Sequence, residues 1–187
     1  MMKKNLFRIF QKYFSKVFNF IYKEKSPKLP EILFLLGTAY FPQLNVELII
    51  RDSEEKTLYI WRDDEFGNVG WHLPGGIIGP NEKILKRVEI VLDKETNLKS
   101  TSVKITGPIS FSEVIHNLPG IRSHFNSFVY LVELKDEFNK YDLDSLSEKF
   151  LISPDVPKKI IKNHIRYIPL LKENLISLRS KSINIAK

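Results

Sequence analysis

Cysteine is absent from the 187 residues. That excludes a disulfide framework and thiolate chemistry, and it fits a reducing compartment. No apolar run approaches the ~18–20 residues that a membrane span requires. Lysine and arginine interrupt the first apolar stretch throughout, so it does not read as a secretory signal. Acidic residues are scarce at the N-terminus: residues 1–25 hold seven lysines and arginines against Glu24 alone, a net of +6. The whole chain carries +7, so the remainder is close to neutral. A general nucleic-acid-binding surface is therefore not expected on the main domain. An apolar fraction of 43% suffices for one sizeable core, and the length fits one domain with an appendage.

That appendage is legible. Leu6, Ile9, Phe10, Tyr13, Phe14, Val17, Phe18 and Ile21 fall on one face of a helix over residues 5–23, with Arg8, Lys12 and Lys16 on the other. Such a helix either packs on the domain or a second subunit, or lies on an anionic membrane surface or a partner. Pro27 and Pro30 mark a linker. The division is residues 1–30 for the basic helix and linker, and residues 31–187 for the domain. Strands are expected at 44–51, 57–62, 103–111 and 124–134, and residues 31–36 form an apolar run of ambiguous type. A helix is expected from an Asn81 cap to about residue 94, and a second from about residue 158, divided by Pro169. Strands with one helix between them and one after them give an α+β, α/β/α arrangement: a mixed sheet flanked by helices.

The densest stretch is 71–98. Trp71, Leu73, Pro74, Gly75 and Gly76 are followed by Glu82, six positions beyond Gly76, and then by an amphipathic run ending in Glu95 and Leu98. This resembles the signature of the Nudix hydrolases, a glycine-rich strand–loop–helix that holds a divalent metal against a diphosphate. Gly76, Glu82, Leu92, Glu95 and Leu98 match it. Ile90 stands where the family has arginine, Val91 and Lys94 where it has glutamate, and Asn97 where it has glycine. Helix positions 91, 94 and 95 share a face, so one carboxylate of that cluster remains. Asp93 and Glu89 point elsewhere around the helix.

The pattern is closest to the GDP-mannose mannosyl hydrolase branch, which also keeps only the last glutamate. That resemblance implies water attack at the sugar carbon of a nucleotide sugar, with one Mg²⁺ (or Mn²⁺) helping the diphosphate leave. It implies Glu95 and the Gly75 carbonyl as metal ligands, Gly76 and Glu82 as structural members of the loop, and Arg62 as a clamp on the leaving phosphates. Arg62 lies thirteen residues before Gly75, the spacing of that branch. The branch's arginine after the glycine pair is Ile77 here, and residues 144–148 lack its histidine base. The base position is empty or filled by Glu148 or Asp144; His124 and His116 are further candidates for proton transfer, and His72 and Arg122 are candidate substrate contacts. Glu82, without the usual arginine, is expected to brace the loop through another cation. His164 is read as part of a solvated helix face, and Trp61 and Trp71 as core or pocket wall.

The expected activity is thus a Mg-dependent Nudix-type hydrolase of a nucleotide sugar or related nucleoside diphosphate derivative. The alternative is a Nudix-fold ligand-binding or regulatory module without catalysis, recruited by the N-terminal helix. The expected location is cytoplasmic, or peripheral to a membrane through residues 1–25. A homodimer is also an expectation of the resemblance.

Overall fold

The structure is a computed structural model describing residue 13 and residues 37–63, 69–115, 124–143 and 149–182. The helix expected at the N-terminus, apart from Tyr13, the run at 31–36, His116, Arg122 and the stretch 144–148 lie outside the described residues.

Among the described residues seven strands form one mixed sheet: β1 (Gln43–Arg51), β2 (Thr57–Asp63), β3 (Val69–His72), β4 (Gly75–Ile77), β5 (Lys104–Ile115), β6 (His124–Glu133) and β7 (Phe150–Ser153). The main order is β3-β2-β1-β6-β5, with β4 on β1 and β7 on β2. The β1–β6 pairing is parallel and the others are antiparallel. Strand β1 is buried continuously from Val46 to Arg51, as befits a central strand covered on both faces. It forks. It pairs with β2 at Arg51–Thr57 and with β4 over Asn45–Glu47. The glycine-rich loop thus departs from the middle of the sheet.

Two apolar layers flank the sheet. Helix α1 (Ile84–Thr96) lays Val88, Val91 and Leu92 over Val46, Leu48, Ile50 and Tyr130. On the other face, Tyr167, Leu171 and Leu178 pack on Ile49, Tyr59, Leu73 and Leu131. The α+β sandwich expected from the sequence is the observed architecture.

Three local expectations are corrected. Helix α1 begins at Ile84 behind Lys83, while Asn81 sits in a turn at φ 58°. Glycine 79 and Glu82 are bonded to each other there, so the turn closes before the helix starts. Strand β5 runs on to Ile115 because β6 pairs with it to His124. The C-terminal segment is not one helix from residue 158. It runs alongside β3, where Trp71 N–H donates to Lys159 O and Ile161 N–H to Trp71 O. A 3₁₀ turn (Lys162–Tyr167) and two short helices, α2 (Ile168–Leu171) and α3 (Leu175–Ser180), follow. Proline 169 sits in the first turn of α2, where its missing N–H costs nothing.

Among the described residues no helix is long and apolar enough to cross a membrane.

Candidate functional site

The site is built where β4 leaves β1 and the end of α1 returns to it. Gly75 N–H donates to Glu95 Oε2 at 3.3 Å, joining the first residue of the loop strand to the last turn of α1 across twenty residues of chain. Helix α1 ends just beyond, on Asn97 at φ 58°. A left-handed closing residue favours glycine, and asparagine is the side chain that tolerates it best. Asn97 therefore does the backbone work of the family's glycine.

Position 91 is no ligand. Val91 is 3% exposed, inside the core under the sheet, and a Cβ on Gly76 would meet its methyl at 3.1 Å. Lys94 is exposed, and Asp93 is paired with Lys99. Glu82 Oε2 accepts from Gly79 N–H at 2.7 Å and from Arg87 Nε at 2.8 Å and Nη2 at 2.5 Å. Arg87, one turn before Ile90, is thus the cation that braces the loop.

Glu95 is the perturbed group. Burial pushes its carboxyl up to about 7 from 4.5, the Gly75 N–H opposes this, the neighbouring Glu47 charge adds to it, and Arg62 opposes it. Arg62 on β2 shares the sheet face of Leu58, which packs under α1. The structure therefore brings Gly75, Glu95 and Arg62 into one electrostatic neighbourhood.

A second half of the site was not foreseen. Glu47 on β1 is directly across from Gly75 and only 6% exposed. Its Oε1 accepts from Asn45 Nδ2 at 2.7 Å, and its Oε2 lies 3.6 Å from His164 Nε2. His164 is 5% exposed, which corrects the solvated reading. The correction has a cause: the 3₁₀ turn replaces the expected helix and rotates the imidazole inward. Leu73 N–H donates to His164 Nδ1 at 3.0 Å, so the ring proton of the neutral form sits on Nε2 and faces Glu47. The His164 ring also packs against Tyr167, centroids 5.2 Å apart, and Tyr167 OH bonds Ser112 Oγ at 3.0 Å. Burial, with the Glu47 charge adding to it, raises the Tyr167 phenol above its ordinary range. One signal did exist in the sequence: Glu47 interrupts the apolar run from Val46 to Ile50, and an acid there has to be paired or functional.

The remaining candidates separate. His72 Nδ1 bonds Ile60 O at 2.7 Å across β2–β3, and its ring centroid lies 5.9 Å from that of His164. His124 pairs its Nε2 with Glu113 Oε1 at 2.9 Å. It lies five residues along β6 from Val129, the partner of Glu47, or roughly 17 Å away. Trp61 and Trp71 pack edge to face at 5.1 Å, half-buried on the β2–β3 pair.

Gly75 tolerates no side chain. A Cβ there would collide with Glu47 Oε2 and approach Val46 O to 2.8 Å. Gly75→Ala is expected to cost about 1–3 kcal/mol, the usual range for overpacking. A fall in the urea midpoint checks this, and an unchanged midpoint would mean that Glu47 moves aside freely.

No family model matches the sequence, and no curated protein matches it. Solved structures do. A MutT/Nudix family protein from Listeria innocua superposes with a TM-score of 0.56 at 17% identity, over 75% of this chain and 97% of that one. The Nudix domain of Shewanella oneidensis NrtR, solved as a complex with ADP-ribose, gives 0.51 at 15% identity, over 75% and 96%. This is the Nudix fold. Identity at that level speaks for the fold alone, and the Nudix loop and helix correspond to β4 and α1 here. Nudix hydrolases generally use a divalent cation. Among the described residues no three His, Asp or Glu side chains converge as a metal cage. The donors at Gly75 are nevertheless hard oxygens, which suits an ion held by one or two carboxylates plus substrate phosphates. Beside them, Asn45 Oδ1 is buried without a partner.

Proposed function

We propose that this chain is a Nudix-type hydrolase that uses one Mg²⁺ or Mn²⁺ to cleave a nucleotide sugar or related nucleoside diphosphate derivative. The observation that carries this reading is the Gly75–Glu95 contact, in which a half-buried carboxyl raised to about 7 sits on the glycine loop within reach of the Arg62 charge. Perturbed groups concentrate at functional sites.

Glu95 and the Gly75 carbonyl would hold the ion, and the ion would supply charge neutralisation to the leaving diphosphate. Arg62 binds the same phosphates with its planar fork. Gly76 lets α1 approach the loop, and Glu82 with Arg87 keeps the loop closed over the ligand. In the mannosyl hydrolase pattern, water oxygen bonds to the sugar carbon, the carbon–oxygen bond to the diphosphate breaks, and the water proton passes to a side-chain base. His124 and His116 are assigned as proton carriers, and His72 and Arg122 as ligand contacts. His124 comes into play only with an extended substrate, given its distance along β6.

The basic helix and linker of residues 1–30 are an element apart from the domain of residues 31–187. They bring a cytoplasmic enzyme to an anionic membrane surface or a protein partner. The assembly is a homodimer, and nucleic acid is not a ligand.

A second reading is favoured by Val91 and Lys94, which leave one helix carboxylate where the family has three. It is a non-catalytic Nudix module that binds a nucleotide ligand, as the NrtR Nudix domain binds ADP-ribose in its crystal. Product analysis over a panel of nucleotide sugars and dinucleotides with Mg²⁺ or Mn²⁺ separates the two. The hydrolase reading expects metal-dependent turnover that Glu95→Gln lowers by at least about 100-fold, comparable to losing a transition-state electrostatic contact. Release of a nucleoside diphosphate and free sugar marks attack at carbon. No turnover across the panel establishes the binding module instead.

A further inference from the structure

Helix α1 presents one carboxylate to the glycine loop where three would share the charge of a dication. Positions 91 and 94 cannot help, since Val91 is buried in the core and Lys94 is a cation at the surface. The opposite side of Gly75 is occupied by another carboxylate. Glu47 faces Gly75 across the β1–β4 pairing, so closely that only glycine fits between the strand and Glu47 Oε2. Glu47 and Glu95 thus flank the same residue, one from β1 and one from α1.

We infer that Glu47 is the second carboxylate toward the divalent cation, directly or through a bound water, and that it replaces from β1 the helix glutamates missing at 91 and 94. The inference rests on the single-ion reading of this loop. It adds a residue that the box pattern does not contain.

The surroundings of Glu47 are those of a held ligand. Asn45 Nδ2 fixes Oε1, and the protonated Nε2 of His164 approaches Oε2 at a long 3.6 Å. His164 is itself fixed by Leu73 N–H. Its two nitrogens are committed, so it acts on the cation only through Glu47, as a positioning residue. This arrangement repeats what is found behind metal ligands, where outer partners orient the inner ones. Asn45 Oδ1, buried without a hydrogen-bond donor, leaves a further hard oxygen beside Glu47.

The test is Mn²⁺ binding to the full chain at pH 8, read by calorimetry or by loss of the free-ion paramagnetic signal, without any substrate. Wild type is compared with Glu47→Gln, Glu95→Gln, His164→Asn and the exposed control Glu113→Gln. The expected result is a loss of at least about 10-fold in affinity for Glu47→Gln, a comparable or larger loss for Glu95→Gln, a smaller loss for His164→Asn, and none for Glu113→Gln. Wild-type affinity in Glu47→Gln overturns the inference and leaves the single-ion reading standing. No binding in wild type overturns both. If Glu47→Gln does not fold, Glu47→Asp keeps the charge. Stabilisation of that variant by Mn²⁺ in urea melts supports the inference, and its absence beside a stabilised wild type overturns it.

Discussion

Glu95→Gln is expected to stabilise the metal-free protein at pH 8 while weakening metal binding and turnover. In the folded chain the Glu95 carboxyl titrates at about 7, against 4.5 for an unburdened glutamate. Below pH 4.5 it is protonated in both folded and unfolded states and contributes no difference. Between 4.5 and 7 the unfolded chain releases its proton first, so stability falls as pH rises. Above 7 the full cost of a buried charge is present. A shift of that size corresponds to about 3 kcal/mol at most, and partial exposure reduces it. Glutamine mimics the protonated acid and keeps an oxygen for the Gly75 N–H. Urea unfolding with chelator present should therefore show a gain of about 2–3 kcal/mol at pH 8, shrinking towards zero near pH 4. A variant less stable than wild type at pH 8 would mean that Glu95 is a structural hydrogen-bonding group. A gain in stability paid for in function is the usual mark of a site selected for chemistry.

Arg51→Ala is expected to be the most damaging single change outside the loop. Arg51 is 3% exposed. Its guanidinium donates to Leu171 O at 2.6 Å, to Glu173 O, and to Thr57 Oγ1 at 3.1 Å. Burial lowers its pKa, with the charges of Glu55 and Glu173 opposing this. The side chain ties the end of β1 to carbonyls at the end of α2, which no helix bond would otherwise satisfy. Truncation removes a buried, hydrogen-bonded charge, orphans those carbonyls and opens a cavity. A loss of roughly 3–5 kcal/mol follows. The segment that carries His164 and Tyr167 should loosen first, read as faster amide exchange at 162–178 than in the β1–β6 pair. Arg51→Met, which fills the volume but leaves the carbonyls unpaired, should fall between the two proteins. Equal loss in both variants would assign the effect to hydrogen bonding, and near-wild-type stability in either would contradict the role given to Arg51.

The parts of the site that the sequence disclosed are those fixed by local chemistry. Pro74, Gly75 and Gly76 announce a tight loop. The distance in sequence from Gly76 to Glu82 and Glu95 follows from one loop and the turns of one helix, so their meeting could be read by counting. Strand alternation exposed β1, β2 and β6 for the same reason. What escaped depends on contacts distant in the chain. Glu47 meets Gly75 through strand pairing across 28 positions, and His164 meets Glu47 across 117. Neither spacing has a period. The C-terminal segment carried apolar residues at helical intervals, but Trp71 took the backbone groups of Lys159 and Ile161, and the segment could not wind into a helix there. Arg87 was missed for a simpler reason: it stands one turn before the position where the family pattern looks for an arginine.

The measurement that bears most directly on the account is calorimetric titration of Mn²⁺ into the full chain at pH 6 and pH 8.5, in two buffers of different ionisation heat. If Glu95 is a ligand whose carboxyl titrates near 7, binding at pH 6 releases close to one proton, binding at pH 8.5 releases almost none, and Glu95→Gln abolishes both the release and most of the affinity. Binding without pH-dependent proton release, or unchanged by Glu95→Gln, would place the cation elsewhere and contradict the proposed site.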